Sequence, residues 1–223
     1  KAIESAREGL RMLEADFTEQ GEGGQEIERT LASLEKFSIA SLIDHPFMKS
    51  PSYKMAMRLL QGLDGPIYYS HQEFFERVIA KKVEISLAHG HTPESCGGYY
   101  CLGMLLGSRF GEPRMAYELG KLALRLAEKF QDAVQRCKAS NMLANFILPW
   151  VAHIRESDEL NESGYLEGME AGEFTFAGYI LGHKVLNDFF TGNLSAISCR
   201  RSMSSPFSCK NTKTSYSKTL SKG

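Results

Sequence analysis

Apolar residues recur at three- and four-residue steps along almost the whole of this chain, and that period confines it to helices packed on one another. Ile3, Ala6, Leu10, Leu13 and Phe17 form one stripe, which predicts a helix that ends before a loop at Gly21, Gly23 and Gly24. Ile27, Leu31 and Leu34 form the next. Ser50 followed by Pro51 marks a third helix, because a serine oxygen accepts from the free amides of the first turn and proline at that position needs no donor; it is expected to run to about Leu63. Ser70 with Glu73 has capping-box spacing, ahead of Phe75, Ile79, Val83 and Leu87 and a stop at Gly90.

Beyond Gly90 the punctuation becomes regular. Thr92 and Pro93 open a helix that Gly111 closes, and Pro113 opens one carrying Leu119, Leu122, Leu126 and Phe130. Asp132 starts another, with Val134, Cys137, Met142 and Phe146 turned inward and a bend or end at Pro149. Ser157 and Gly172 bracket a further helix, and Phe174 to Phe190 supplies a last one before Gly192. Strand-period alternation with hairpin turns occurs nowhere, so the fold class is all-α.

A repeat underlies these helices. Leu102-Gly103, Met142-Leu143 and Leu181-Gly182 stand 40 and 39 residues apart, the length of one helix pair with its turns. Tyr99, Leu102, Gly103 and Leu106 follow the tetratricopeptide order of aromatic, Leu-Gly and large residue, although units of about 40 residues exceed the consensus of about 34. The expected architecture is therefore a degenerate tetratricopeptide-like helical-hairpin solenoid over residues 1–192, with N-terminal helices in 1–70 and regular helix pairs in 71–192.

Residues 193–223 break with this pattern. They hold nine serines, six Lys or Arg and no Asp or Glu, a net +6 that leaves −7 on the preceding 192 residues of a chain whose total is −1. So little apolar content does not offset ordering entropy, which predicts a disordered tail. The abrupt loss of acids and of helical period near Cys199 also suggests a shifted reading frame. The opening at Lys1, already inside a helical stripe, suggests a piece of a longer protein.

The chemistry-bearing residues read as structural. His89 and His91 flank Gly90, but the nearby Cys96 and Cys101 would lie on different faces of a helix, so no metal site is assigned. The odd count of five cysteines gives no disulfide framework and suits a reducing compartment. Gly103, Gly107 and Gly111 lack the Gly-Lys-Ser/Thr of a phosphate loop and predict close helix contact, as do Gly178 and Gly182. His153 reads as an apical structural histidine near Trp150, and Glu156, Asp158, Glu159 and Glu162 as acids complementing a helix N-terminus. Phe174, Phe176, Tyr165 and Tyr179 are assigned to core packing, with a ligand groove as the lesser reading. No catalytic, cofactor-binding or metal residue is proposed from the sequence. The absence of a basic block before the tail and of an apolar run near the roughly 20 residues of a membrane span argues against nucleic acid and membrane as partners and for a cytoplasmic protein.

The order of motifs resembles one family. Ser38-Ile39 through Asp44-His45-Pro46, Met57-Arg58-Leu59-Leu60, Leu87-Ala88-His89-Gly90, Leu119-Gly120-Lys121-Leu122-Ala123-Leu124 and Trp150 through Ile154-Arg155-Glu156 are similar to the helical region of large bacterial hybrid kinases. Gly164-Tyr165, Gly168, Ala171-Gly172-Glu173 and Ala177-Gly178-Tyr179 continue the series, from about Ala2 to Gly192. The resemblance implies a parent with a serine/threonine kinase, an AAA signalling ATPase, a GAF sensor and a histidine kinase. ATP and Mg belong by implication to those other domains. This segment would be a non-catalytic scaffold or relay, with protein partners: the neighbouring ATPase and sensor-kinase domains or a peptide. The alternative is a ligand- or peptide-sensing helical domain of a transcriptional regulator.

Overall fold

The stops and starts read from the sequence are local backbone chemistry, and most of them stand in the computed structural model, which describes residues 2–13, 15, 17 and 23–193. Over these residues the protein is all-helical: α1 Ala2–Met12, α2 Gly23–Leu34, α3 Pro51–Tyr68, α4 Gln72–His89, α5 Ser95–Leu105, α6 Pro113–Lys129, α7 Ala133–Met142, α8 Asp158–Ala171 and α9 Phe174–Phe190. Short 3-10 turns cover Ile39–Asp44, Leu148–Trp150 and Ile154–Ser157, and π turns extend α5 over Leu106–Phe110 and α7 over Leu143–Ile147. The Ser50 oxygen accepts from Tyr53 N at 3.4 Å and Asp132 from Gln135 N at 2.9 Å, capping α3 and α7. Gly90 stops α4 at φ +95°, where an added Cβ would lie 2.4 Å from Pro46 O; only glycine fits both the backbone angle and that approach. The tail expected at 193–223, with Cys199 and Cys209, lies outside the described residues beyond Asn193.

Four expectations are corrected. Helix α1 ends at Met12, and Phe17 is buried outside it, 5.0 Å from the Phe74 ring. Gly23 and Gly24 open α2 instead of forming a loop: Gly23 sits against α4, where a Cβ would meet Glu73 O at 2.6 Å. Helix α3 passes through Pro66 to Tyr68, since the proline removes one hydrogen bond while Ile67 beyond it is fully buried. Ser70 and Glu73 form no capping box, because the Ser70 hydroxyl donates to Pro66 O at 2.7 Å and His71 takes the N-cap position of α4.

Sequential helices are neighbours: α3 with α4, α5 with α6, α7 with α8, and α8 with α9. Helix α4 also packs on α2 and α5, α6 on α7, and α7 touches both α5 and α9. Leu102, Met142 and Leu143 are buried, whereas Leu181 is 45% exposed. The Gly103 contact is close as expected, a Cβ there lying 2.9 Å from Ala116 O, and Gly107 faces Trp150; Gly111 has open space and serves instead as a stop with φ +69°. Gly178 and Gly182 have nothing within 4 Å, which corrects their assignment to close packing inside this chain. The glycines that do seat helices in the C-terminal half are Gly120, Gly164 and Gly168.

Polar groups fix the last helices. Asn145 Nδ2 donates to Asn161 Oδ1 at 2.8 Å, Asn161 Nδ2 returns to Asn145 Oδ1 at 3.1 Å, and Asn187 Nδ2 donates to Ser157 Oγ at 3.1 Å. This amide pair, with Ser157 and Asn187, joins the π turn after α7 to α8 and α9 with satisfied partners.

Glycine positions give a paired prediction. A Cβ on Gly164 would fall 2.6 Å from Ser140 Cβ, which the backbone of α7 holds, so Gly164→Ala should cost about 1–3 kcal/mol through overpacking. Gly62, exposed and open within α3, should gain up to about 1 kcal/mol as Gly62→Ala from restored helix propensity. Urea denaturation of both variants checks this, and a Gly164→Ala protein as stable as wild type would refute the close α7–α8 seating.

Candidate functional site

Helices α3, α5, α7 and α9, with Phe75 from the start of α4, face one another across a cavity of about 480 Å³. Its floor holds a buried ion pair. Lys82, fully buried on α4, donates from Nζ to both Asp64 oxygens at 2.8 and 2.7 Å, and the Asp64 side chain keeps 17% exposure toward the opening. The lysine reaches Asp64 beside Gly97, where an added Cβ would stand 3.1 Å from Nζ and 2.3 Å from Gln61 Oε1. A larger residue at the start of α5 would close that space. Burial raises the Asp64 carboxyl above its ordinary value, opposed by the charges of Lys82 and Lys138 and the Lys82 hydrogen bond.

The walls are aromatic, with Tyr68, Phe75, Tyr100, Phe146, Phe176 and Tyr179 among the lining residues. Lys138 of α7 pairs with Glu173 at 3.2 Å and lies 5.2 Å from the Phe176 ring centre. Tyr69 stands beside Tyr179 at the mouth, and its charge, with the hydrogen bond between them, raises the Tyr179 phenol. His183 packs edge-on to Phe146 at 5.2 Å, and burial lowers its pKa. The two lysines and two carboxylates of floor and rim are tied to one another, leaving flat apolar walls for an uncharged group.

Other reactive side chains are held in structural contacts. Burial pushes the Cys101 thiol up to about 12 and Cys137 up to about 11, and Cys96 also rises, so these thiols stay protonated and unreactive at neutral pH. His89 stacks on Tyr53 at 3.7 Å, while the buried His91 meets Tyr99 OH at 2.8 Å, so the two histidines flanking Gly90 turn to different partners. Ser70 Oγ lies 2.8 Å from His71 Nδ1, but its proton goes to Pro66 O, which leaves no Ser–His relay. His153 Nδ1 accepts from Arg155 N at 3.2 Å, capping the Ile154–Ser157 turn. Asp158 and Glu159 occupy the first turn of α8. No three His, Cys, Asp or Glu converge on a metal position among the described residues, and none of their helices is long and apolar enough to cross a membrane.

The sequence assigned Phe174, Phe176, Tyr165 and Tyr179 to the core. Phe174 is 64% exposed and Tyr179 47%, and Phe176 and Tyr179 line the cavity, so core packing is corrected for these three; Tyr165 is half-buried on α8. The Asp64–Lys82 pair and the Lys138–Glu173 pair escaped sequence reasoning. One signal was available: Lys82 follows Val78 by one turn on the buried side of α4, a place where a lysine needs a partner. No family model, curated protein or solved structure matches the chain.

Proposed function

We propose that this chain is a non-catalytic scaffold, a stack of tetratricopeptide-like helix pairs that relays between the ATPase and sensor-kinase modules of a multidomain signalling kinase by receiving a protein segment in its cavity. The observation that carries the reading is the origin of most of the cavity wall: α3, α5 and α7 each open a helix pair and α9 ends the series, and all four contribute lining residues, with Phe75 of α4 completing the wall. Stacked pairs share one inner surface, so an extended segment can touch several in turn. The order of motifs in the sequence supplies the link to hybrid kinases. The occupant of the cavity is an aromatic or aliphatic side chain, because the ion pairs at floor and rim leave no free charge to match and the walls offer ring faces.

Panning a random peptide library on the purified protein tests this. Enriched peptides should carry Trp, Tyr, Phe or Leu, and Thr175→Trp, which plugs the opening from an exposed position on α9, should abolish their binding without loss of helicity. Peptides that bind the plugged variant equally, or ATP turnover by the isolated chain, would overturn the reading. The cavity volume favours a second reading: about 480 Å³ falls in the range of roughly 300–1,000 Å³ used for small molecules. A ligand-sensing domain of a transcriptional regulator would then bind an aromatic metabolite and no peptide, and its gene would encode a helix-turn-helix beside this segment in place of kinase motifs.

A further inference from the structure

The cavity has one polar point that its ring walls do not account for. A carboxylate accepts at about four lone-pair positions, and Lys82 Nζ fills one on each oxygen of Asp64, at 2.8 and 2.7 Å. No other donor reaches Asp64 among the described residues. The Tyr100 hydroxyl, near enough to feel the Asp64 charge, hydrogen-bonds with Gln61 instead. Lys82 is fully buried whereas the Asp64 side chain is 17% exposed, so the accepting positions left over are those turned to the cavity. Burial outweighs the lysine in setting the Asp64 carboxyl, which stays above its ordinary value, as expected of a carboxylate short of donors.

The walls define the rest of the occupant. Tyr68 of α3 and Phe75 of α4 form one edge-to-face pair at 5.3 Å, and Phe176 and Tyr179 of α9 form another at 5.6 Å. Such surfaces favour a flat ring. A charged ring is disfavoured, because Asp64 is matched by Lys82 and Glu173 by Lys138, and an added ion would have no counter-charge of its own. A ring without a donor, such as that of phenylalanine, would cut Asp64 off from water and leave its free positions unmet. A phenol supplies a donor but brings its own lone pairs up to the carboxylate oxygens. Indole is a donor only.

We propose that the ring received here is an indole, which lies between the aromatic walls and donates its N–H to the cavity-facing side of Asp64. The inference rests on the reading of the cavity as the seat for a side chain of a protein segment, and it makes that side chain tryptophan. Lys82 is then a positioning residue: its two hydrogen bonds hold the carboxylate with its free lone pairs toward the cavity. A hydrogen bond to an ionised acceptor belongs to the strong class, so the donor decides among rings that the walls would otherwise accept alike.

Three peptides, acetyl-Ala-Ala-X-Ala-Ala-amide with tryptophan, benzothienylalanine or phenylalanine at X, test this on the full 223-residue chain by ligand-observed NMR titration. Benzothienylalanine puts sulfur in place of the indole N–H at nearly the same shape and so isolates the donor. The tryptophan peptide should bind about tenfold or more tightly than either of the others. Lys82→Met with Asp64→Leu keeps the rings and removes the acceptor, so there the tryptophan and benzothienylalanine peptides should bind within about twofold of each other. Circular dichroism checks that this variant folds, and the wild-type comparison decides alone if it does not. Equal binding of those two peptides by wild type overturns the proposal and leaves the peptide seat intact, as does a preference that survives in the double variant. Titration with 3-methylindole and 3-methylbenzothiophene covers a free small molecule as the source of the ring. If no peptide binds but 3-methylindole is preferred about tenfold, the protein-segment reading falls and the indole site stands. Binding of neither the tryptophan peptide nor 3-methylindole overturns both.

Discussion

Lys82→Met should lower the stability of this protein by about 3 kcal/mol, the lower end of the roughly 3–5 kcal/mol seen when one partner of a buried ion pair is removed. The ammonium is fully buried and holds both Asp64 oxygens within 2.8 Å, so its loss leaves a carboxylate among aromatic walls with no cation in contact. The remaining 17% exposure of Asp64 toward the cavity keeps the loss at the low end, because water solvates part of the charge. Lys82→Met combined with Asp64→Leu should recover most of the deficit, since apolar side chains of similar volume replace both charges and no desolvation remains uncompensated. Urea denaturation of the two single variants and the double variant forms the necessary cycle. A single-variant loss below about 1 kcal/mol, or a double variant no better than the worse single, would mean that the pair does not act as one buried unit. The cycle also separates stability from binding. The double variant keeps the aromatic walls and loses the polar floor, so retained peptide capture would place recognition in the rings.

That same pair marks the boundary between what the sequence discloses and what it does not. A lysine one turn after Val78 on the buried side of α4 is visible as an anomaly; its partner is not, because Asp64 lies 18 residues upstream on another helix and only packing brings the two together. The helix stops were legible for the opposite reason. Gly90, Gly111 and Gly172 set a positive φ by their own covalent geometry, and the caps at Ser50 and Asp132 act over three residues. Where local rules failed, a distant group decided. Pro66 did not end α3 because the buried Ile67 follows it, and Ser70 did not cap α4 because Pro66 O lies closer to hand. The glycine steps show it most plainly: Gly103 with Gly107 and Gly178 with Gly182 read alike, yet the first pair is covered and the second open. The aromatic residues of α9 were legible as apolar, with a groove wall only as the lesser reading, since periodicity reports that a helix has faces and not what each face meets.

Acid should destabilise the protein well before its carboxylates are the cause, and His91 is the reason. Its ring is 1% exposed, Nε2 meets Tyr99 OH at 2.8 Å, and Nδ1 is buried without a partner. Protonation would add a second N–H to a ring with one hydrogen-bond partner. Burial, then the charges of His45 and Lys129, lower its pKa from 6.5 to about 4. The unfolded chain therefore takes up a proton below pH 6.5 that the folded protein refuses until about pH 4. The stability attached to the neutral ring is complete above pH 6.5 and is lost as pH falls through that window, about 3 kcal/mol at roughly 1.4 kcal/mol per unit. His183, lowered by burial, acts in the same direction, while the raised carboxyl of Asp64 acts in the opposite one. Comparison with a variant is what isolates His91. His91→Gln keeps a polar partner for Tyr99 and does not titrate, so it should be the less stable protein at pH 7 and close the gap by pH 4.5. The backbone bonds that clamp this position, His91 N to Pro46 O at 2.8 Å and Met48 N to His91 O at 2.9 Å, are available to either side chain, so the variant should fold. Urea unfolding at half-unit steps across the window gives the difference curve, and parallel pH profiles for the two proteins would show that His91 is not the group that responds.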